Sequence, residues 1–92
     1  MYRRSVLDNK LRVLTSTMDH TQSVSMVICV GAGSRYESDE LAGVSHFIEH
    51  LPFKGTESWP TARAVSEAIE GVGGIMNAST DREMTVFWVK VA

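Results

Sequence analysis

An α+β fold is what this 92-residue sequence predicts: a two-layer sandwich of a mostly antiparallel or mixed sheet with helices on one face. Three observations carry that reading. Short apolar runs separated by turn residues occur at both ends of the chain. Two stretches with helical spacing lie between them. The resulting order, β-β-β-α-α-β-β, does not alternate strictly, which disfavours a doubly wound sheet.

The elements follow in order. Ser5-Val6-Leu7 and Leu11-Arg12-Val13-Leu14 flank Asp8-Asn9-Lys10. Asn tolerates positive φ, so this segment reads as a hairpin turn. Asp19-His20-Thr21-Gln22 is a polar break, and His20 in it reads as a solvated loop residue. Val24 to Val30 is an apolar strand ended by Gly31-Ala32-Gly33. Cys29, the sole cysteine, sits inside that run and is expected to be a buried, inert thiol. Ser34 to Glu40 is a polar loop.

From about Leu41 the period changes. Leu41, Val44, Phe47, Ile48 and Leu51 form a helical stripe running to about Phe53, with Asp39 as the expected cap. Pro52 and Gly55 are expected to end it. A second helix starts at Thr61, carries Ala62, Val65, Ala68, Ile69 and Val72, and stops at the glycines around Gly71. Ile75 to Thr80 and Met84 to Val91 read as two strands joined by Asp81-Arg82-Glu83.

Composition excludes several classes. Net charge is −2, so nothing points to nucleic acid. No stretch reaches the length of a membrane span, and no apolar segment follows the basic Met1-Tyr2-Arg3-Arg4 start, so no signal peptide is read; a cytoplasmic protein without membrane partners is expected. One cysteine rules out an intrachain disulfide framework. Gly71-x-Gly73-Gly74 follows a helix instead of opening one, which is the wrong context for a phosphate loop. There is no G-x-S-x-G elbow for a serine nucleophile.

The chemistry-bearing segment is His46-Phe47-Ile48-Glu49-His50, an H-x-x-E-H pattern. At about 100° of helical rotation per residue, His50 falls roughly 40° to one side of His46 and Glu49 roughly 60° to the other. Two neutral imidazoles on one face can hold zinc, and a carboxylate beside them can take a proton from a water on the metal. The pattern is the inverted form of the H-E-x-x-H zinc-peptidase signature. A pair of histidines and a glutamate on a solvated helix face is the competing reading. A structural zinc module is a further one, but such sites close with four protein ligands and favour Cys.

The surroundings of the motif resemble the pitrilysin/insulinase family of zinc peptidases, which includes the mitochondrial processing peptidases. Gly33-Ser34-Arg35-Tyr36-Glu37 resembles the loop before the family's motif helix. Gly43 to His50 resembles the helix, and Phe53-Lys54-Gly55-Thr56 its exit. Gly73-Gly74, then Asn77-Ala78 and Thr80, resemble its following strand, so the similarity runs from Asn9 to about Val91. The resemblance implies a zinc-dependent metalloendopeptidase in which His46 and His50 ligate zinc and Glu49 is the general base. It implies peptide or protein substrates that bind extended, adding a strand to a sheet edge. Asn77 and Ala78 are then candidates for substrate contact.

Departures from the family pattern set further expectations. The family's third zinc ligand is a glutamate well downstream, and Glu67, Glu70 and Glu83 do not match its motif. Residues 1–92 are therefore read as the truncated N-terminal part of a zinc-peptidase domain, completed by a C-terminal half-domain or second subunit. Uncovered apolar surface, including Trp59, Phe87 or Trp88, is expected to drive self-association. Lys10 stands at a usual glycine and Pro52 at a usual helix-compatible apolar residue. The alternative function is a non-catalytic peptide-binding or assembly subunit, which has no need of Glu49.

Overall fold

The computed structural model describes residues Met1–Ala92. The first hairpin pairs strands β1 (Arg3–Val6) and β2 (Arg12–Thr15) antiparallel, with Arg3 opposite Thr15 and Val6 opposite Arg12. Its turn closes by Lys10 N–H donating to the Leu7 carbonyl and by Leu11 N–H donating to Asn9 Oδ1. Lys10 is the one non-glycine residue with positive φ, at 69°, where the family resemblance places glycine.

Strand β3 (Val24–Val30) leads through short 3₁₀ turns at Ser34–Tyr36 and Asp39–Leu41 into helix α1 (Val44–Lys54). Helix α2 (Ala62–Glu70) and strands β4 (Ile75–Thr80) and β5 (Thr85–Val91) follow. β5 is central in a three-stranded antiparallel sheet of order β3-β5-β4. The α+β class and element order agree with the sequence. The strands divide into two separate sheets, and every pairing is antiparallel.

Register decides which residues meet the helices. Met76, Ala78 and Thr80 of β4 stand opposite Val89, Phe87 and Thr85 of β5. Those residues stand opposite Met26, Ile28 and Val30 of β3. Side chains alternate across a strand, so these residues share one face. Along β4, Met76, Ala78 and Thr80 are the half-buried set while Ile75, Asn77 and Ser79 are exposed. Both helices pack on β4 and on each other. β3 lies beyond their reach and is exposed along its whole length.

Four expectations are corrected here. Asp39 lies in a 3₁₀ turn, and the N-cap of α1 is Gly43, in the left-handed region at φ 90° with no side-chain cap of its own. Pro52 sits inside α1, which continues to Lys54 and stops at Gly55; the helix forgoes the bond to the Ile48 carbonyl there and ends two residues later at the glycine. Cys29 is exposed, since nothing covers β3. The apolar stripe of α1 is also open: Phe47, Ile48 and Leu51 are exposed, and the buried residue of the helix is Glu49. α2 is capped by Thr61, whose Oγ1 accepts from Ala64 N–H.

No hydrophobic side chain is fully buried anywhere in the chain. Trp59 and Trp88 are among the large apolar residues left exposed. No helix is long and apolar enough to cross a membrane.

What fixes the loop before α1 is polar and close. Thr85 is buried, and its hydroxyl donates to the Ala32 carbonyl at 2.8 Å. Ser34 N–H donates to the Asp81 carbonyl and Arg35 N–H to the Arg82 carbonyl. Arg35 also pairs with Glu83. Gly33 is buried at the centre of this strap, and its extended φ of −166° suits any residue. The space does not: a Cβ there would stand 2.4 Å from the Asp81 carbonyl oxygen. Gly33→Ala is therefore expected to push the loop off the 81–84 turn at a cost of about 1–3 kcal/mol. A denaturant midpoint unchanged by Gly33→Ala would refute the close approach.

Candidate metal centre

The centre is built on the middle of α1. His46 and His50 are one turn apart, and their Nε2 atoms approach to 3.1 Å. The ring centroids are 4.9 Å apart and tilted by 50°. The imidazoles converge as their spacing predicts. A tetrahedral zinc at about 2.0–2.1 Å from each nitrogen would hold the two nitrogens about 3.3 Å apart. The observed separation fits that demand with a shift of a few tenths of an ångström, and the donor set of neutral imidazoles suits zinc.

Glu49 completes the cluster. Ligating atoms of His46, Glu49 and His50 all lie within 4.8 Å of one another. The two histidines are exposed, whereas Glu49 is only 9% exposed. Glu49 Oε2 accepts a hydrogen bond from the Thr80 hydroxyl, 31 residues away on the last position of β4. Burying a carboxylate without a partner is costly, and Thr80 supplies one.

The helix that presents these groups is held from outside. Glu37 Oε1 accepts from Gly43 N–H and Oε2 from Ser45 N–H, each at 2.8 Å. These are donors that the first turn of a helix leaves free. The negative charge also suits the positive end of the helix dipole. The Ser45 and Gly43 amides hold the Glu37 carboxyl below its ordinary value. In the same way, the Glu83 and Met84 amides hold Asp81 low, since its Oδ1 accepts from both.

An open cleft of about 460 Å³ adjoins the cluster. His46, Glu49, Ser79, Thr80 and Arg82 contribute to its wall, and no hydrophobic residue lines it. Asn77 and Ala78 lie on β4, which pairs with β5 on one side only and leaves its other edge free. Asn77 Oδ1 accepts from Ala78 N–H at 2.8 Å, so that backbone donor is occupied by a neighbouring side chain. His20, Glu67, Glu70 and Glu83 are outside the metal-capable cluster. Glu67 is tied to Arg63 at 2.7 Å and Glu83 to Arg35.

Sequence reading missed Glu37 and Thr80 as parts of the centre. Glu37 lies six residues before the amide it caps, too far for a capping-box pattern to show. Thr80 stood within the family-like strand, but its partner is set by tertiary packing alone.

Comparison with known proteins bears on the whole segment. Residues 12–92 match the insulinase family, peptidase family M16. The chain is 45% identical over 89 residues to a probable mitochondrial-processing peptidase subunit beta of Arabidopsis thaliana, covering 97% of this chain and 17% of that protein. It is 38% identical over 91 residues to an uncharacterized zinc protease of Bacillus subtilis, covering 99% of this chain and 22% of that one. The fold superposes on a crystal structure of a protease from Helicobacter pylori with a TM-score of 0.90 and 26% identity, covering all of this chain and 22% of that chain. The chain thus spans about a fifth of the length of these relatives.

Folding lowers the Glu37 pKa, so its contribution to stability is present above the unfolded value of 4.5 and is lost as pH falls through the folded value. Asp81 acts with the same sign. A ¹³C carboxyl titration is expected to place the Glu37 midpoint below 4.5. Glu37→Gln is expected to remove this part of the acid sensitivity. A midpoint at or above the unfolded value would rule out the helix clamp.

Proposed function

The chain belongs to the insulinase family of peptidases, and from that premise we propose that it carries the metal-binding and proton-accepting groups of a zinc-dependent endopeptidase. The observation that supports this reading is the convergence of His46 and His50 at 3.1 Å beside the carboxylate of Glu49. His46 and His50 hold zinc through their Nε2 atoms. When bound, zinc supplies a Lewis acid that polarises the scissile carbonyl and acidifies the attacking water. Glu49 accepts the proton of that water on its carboxylate and returns it to the nitrogen of the leaving amine.

The substrate is an extended peptide that adds a strand to the free edge of β4. Pairing through the backbone accepts many sequences. Asn77 and Ala78 contact it, with the Ala78 N–H released by Asn77 Oδ1 as the peptide docks. β4 ends at Thr80 beside Glu49, so a peptide along this edge runs towards the centre.

Residues 1–92 form the N-terminal part of the zinc-peptidase domain. The fraction of the relatives that the chain spans supports this assignment, as does a donor set of two imidazoles where catalytic zinc normally takes three protein ligands. A third ligand and the elements that enclose substrate come from elsewhere in the longer protein or from a second subunit.

Two outcomes test the proposal. In the full-length peptidase, Glu49→Gln is expected to retain zinc and to lose about 10²–10⁴-fold in turnover; normal turnover with Gln would remove the base assignment, and a parent protein without turnover would favour the non-catalytic subunit. The isolated 92-residue chain is expected to bind zinc weakly, to self-associate through its open sheet and helix faces, and to lack measurable peptidase activity. A monomeric 92-mer with tight stoichiometric zinc would show that a residue within this segment completes the coordination.

A further inference from the structure

We propose that Thr80 is a positioning residue for the general base. Its hydroxyl, donated to Oε2 of Glu49, leaves Oε1 as the oxygen that meets the attacking water. This rests on the reading of Glu49 as the base given above.

The geometry is specific. Thr80 Oγ1 donates to Glu49 Oε2, and Glu49 is the only buried residue of α1. An ionised carboxylate has two equivalent oxygens and rotates about its last torsion in a broad well. A base that must point one oxygen at one proton loses rate when the other oxygen is free to exchange with it. A single donor fixed on Oε2 removes that freedom. No other hydrogen bond to the Glu49 side chain is present.

The donor is itself held. Thr is β-branched, so its χ1 has few rotamers and the hydroxyl direction is well defined. Thr80 pairs with Thr85 of β5, whose hydroxyl is tied to the Ala32 carbonyl. The next residue, Asp81, donates its N–H to the Met84 carbonyl and closes the turn. The backbone under Thr80 is therefore pinned from both sides of the hairpin. Thr80 also ends the strand whose free edge receives the peptide, so one element sets both the peptide's track and the base's orientation.

The role is one of orientation and not of contact with substrate, which fixes the readout. Kinetics of the full-length, zinc-loaded peptidase on a fluorogenic peptide are compared for the parent, Thr80→Val, Thr80→Ser and Glu49→Gln. Thr80→Val keeps the shape and removes the donor. Its kcat is expected to fall about 10- to 100-fold with KM and zinc content unchanged. Thr80→Ser, which keeps the donor, is expected to restore most of the rate. Combining Thr80→Val with Glu49→Gln is expected to add no further loss, because the two groups act as one unit.

A Thr80→Val enzyme with kcat within twofold of the parent, alongside an inactive Glu49→Gln enzyme, overturns the positioning role alone. A loss that appears in KM, or equally on the Glu49→Gln background, assigns Thr80 to packing and also overturns it. Should Thr80→Val fail to fold, comparison of Thr80→Ala, which lacks the hydroxyl, with Thr80→Ser, which keeps it, reads the same donor. Full turnover in Glu49→Gln removes the base itself, and this role with it.

Discussion

The carboxylate of Glu37 is the constraint on which the centre depends. Helix α1 starts at a glycine with no side-chain cap, so its first amides have no partner within the helix. Glu37 takes two of them, one on each oxygen. That contact fixes where the helix begins and about which axis it is rotated. Rotation matters because residues one turn apart point the same way only in a helix that stays in register. A turned or frayed start would carry His46, three residues from Gly43 in chain order, off the line it shares with His50. Glu37 itself hangs from the strap formed by Gly33, Ser34, Arg35 and Thr85 against the 81–85 turn. The β4–β5 hairpin thus sets the position of α1 twice: through this strap at the helix start, and through Thr80 at its middle.

Burial contributes little to this arrangement. The usual order is inverted in α1, where Glu49 is buried and Phe47, Ile48 and Leu51 face outward. The stripe predicted to pack inward has no partner in these residues. The same holds for the face of β3 that carries Met26, Ile28 and Val30, aligned through β5 with the helix-packed face of β4 but beyond the helices. Two continuous apolar faces remain, one on the motif helix and one on the sheet edge. An exposed apolar stripe on a helix with correct helical spacing marks a missing neighbour, because the spacing has no other physical purpose. Local hydrogen bonds and backbone pairing supply what order the segment has by itself.

Much of this was legible in the sequence, and the boundary between what was and was not is physical. Periodicity located β3 and β4 at their observed limits and both helices to within a few residues, since a strand or helix repeats its pattern along the chain. The i, i+4 spacing gave the imidazole convergence because helix geometry alone produces it. The misread features are those decided by residues far away. Cys29 looks buried in any strand with two covered faces, and only the absence of a neighbouring layer exposes it. Asp39 has the right chemistry for a cap, but the chain makes an extra 3₁₀ turn and Glu37 reaches past it. Pro52 lacks the N–H that would bond the Ile48 carbonyl, yet the helix runs two residues past it, so the proline alone does not set the end. The division of the strands into two sheets depends on long-range pairing that no local pattern encodes.

The two halves of the centre therefore have different physical origins. The imidazole pair is a local object: it needs only two turns of helix and the clamp at their start. The base is not. Its orientation needs β4 in register with β5, since a slip of one residue would turn Thr80 to the opposite face and present Ser79 in its place. Its shielding needs the helix against the sheet. Both halves depend on the β4–β5 hairpin, the imidazole pair through the loop that carries Glu37 and Glu49 through Thr80. Sequence determines the first half through spacing and the second through topology, and the Glu49–Thr80 hydrogen bond is where the two meet.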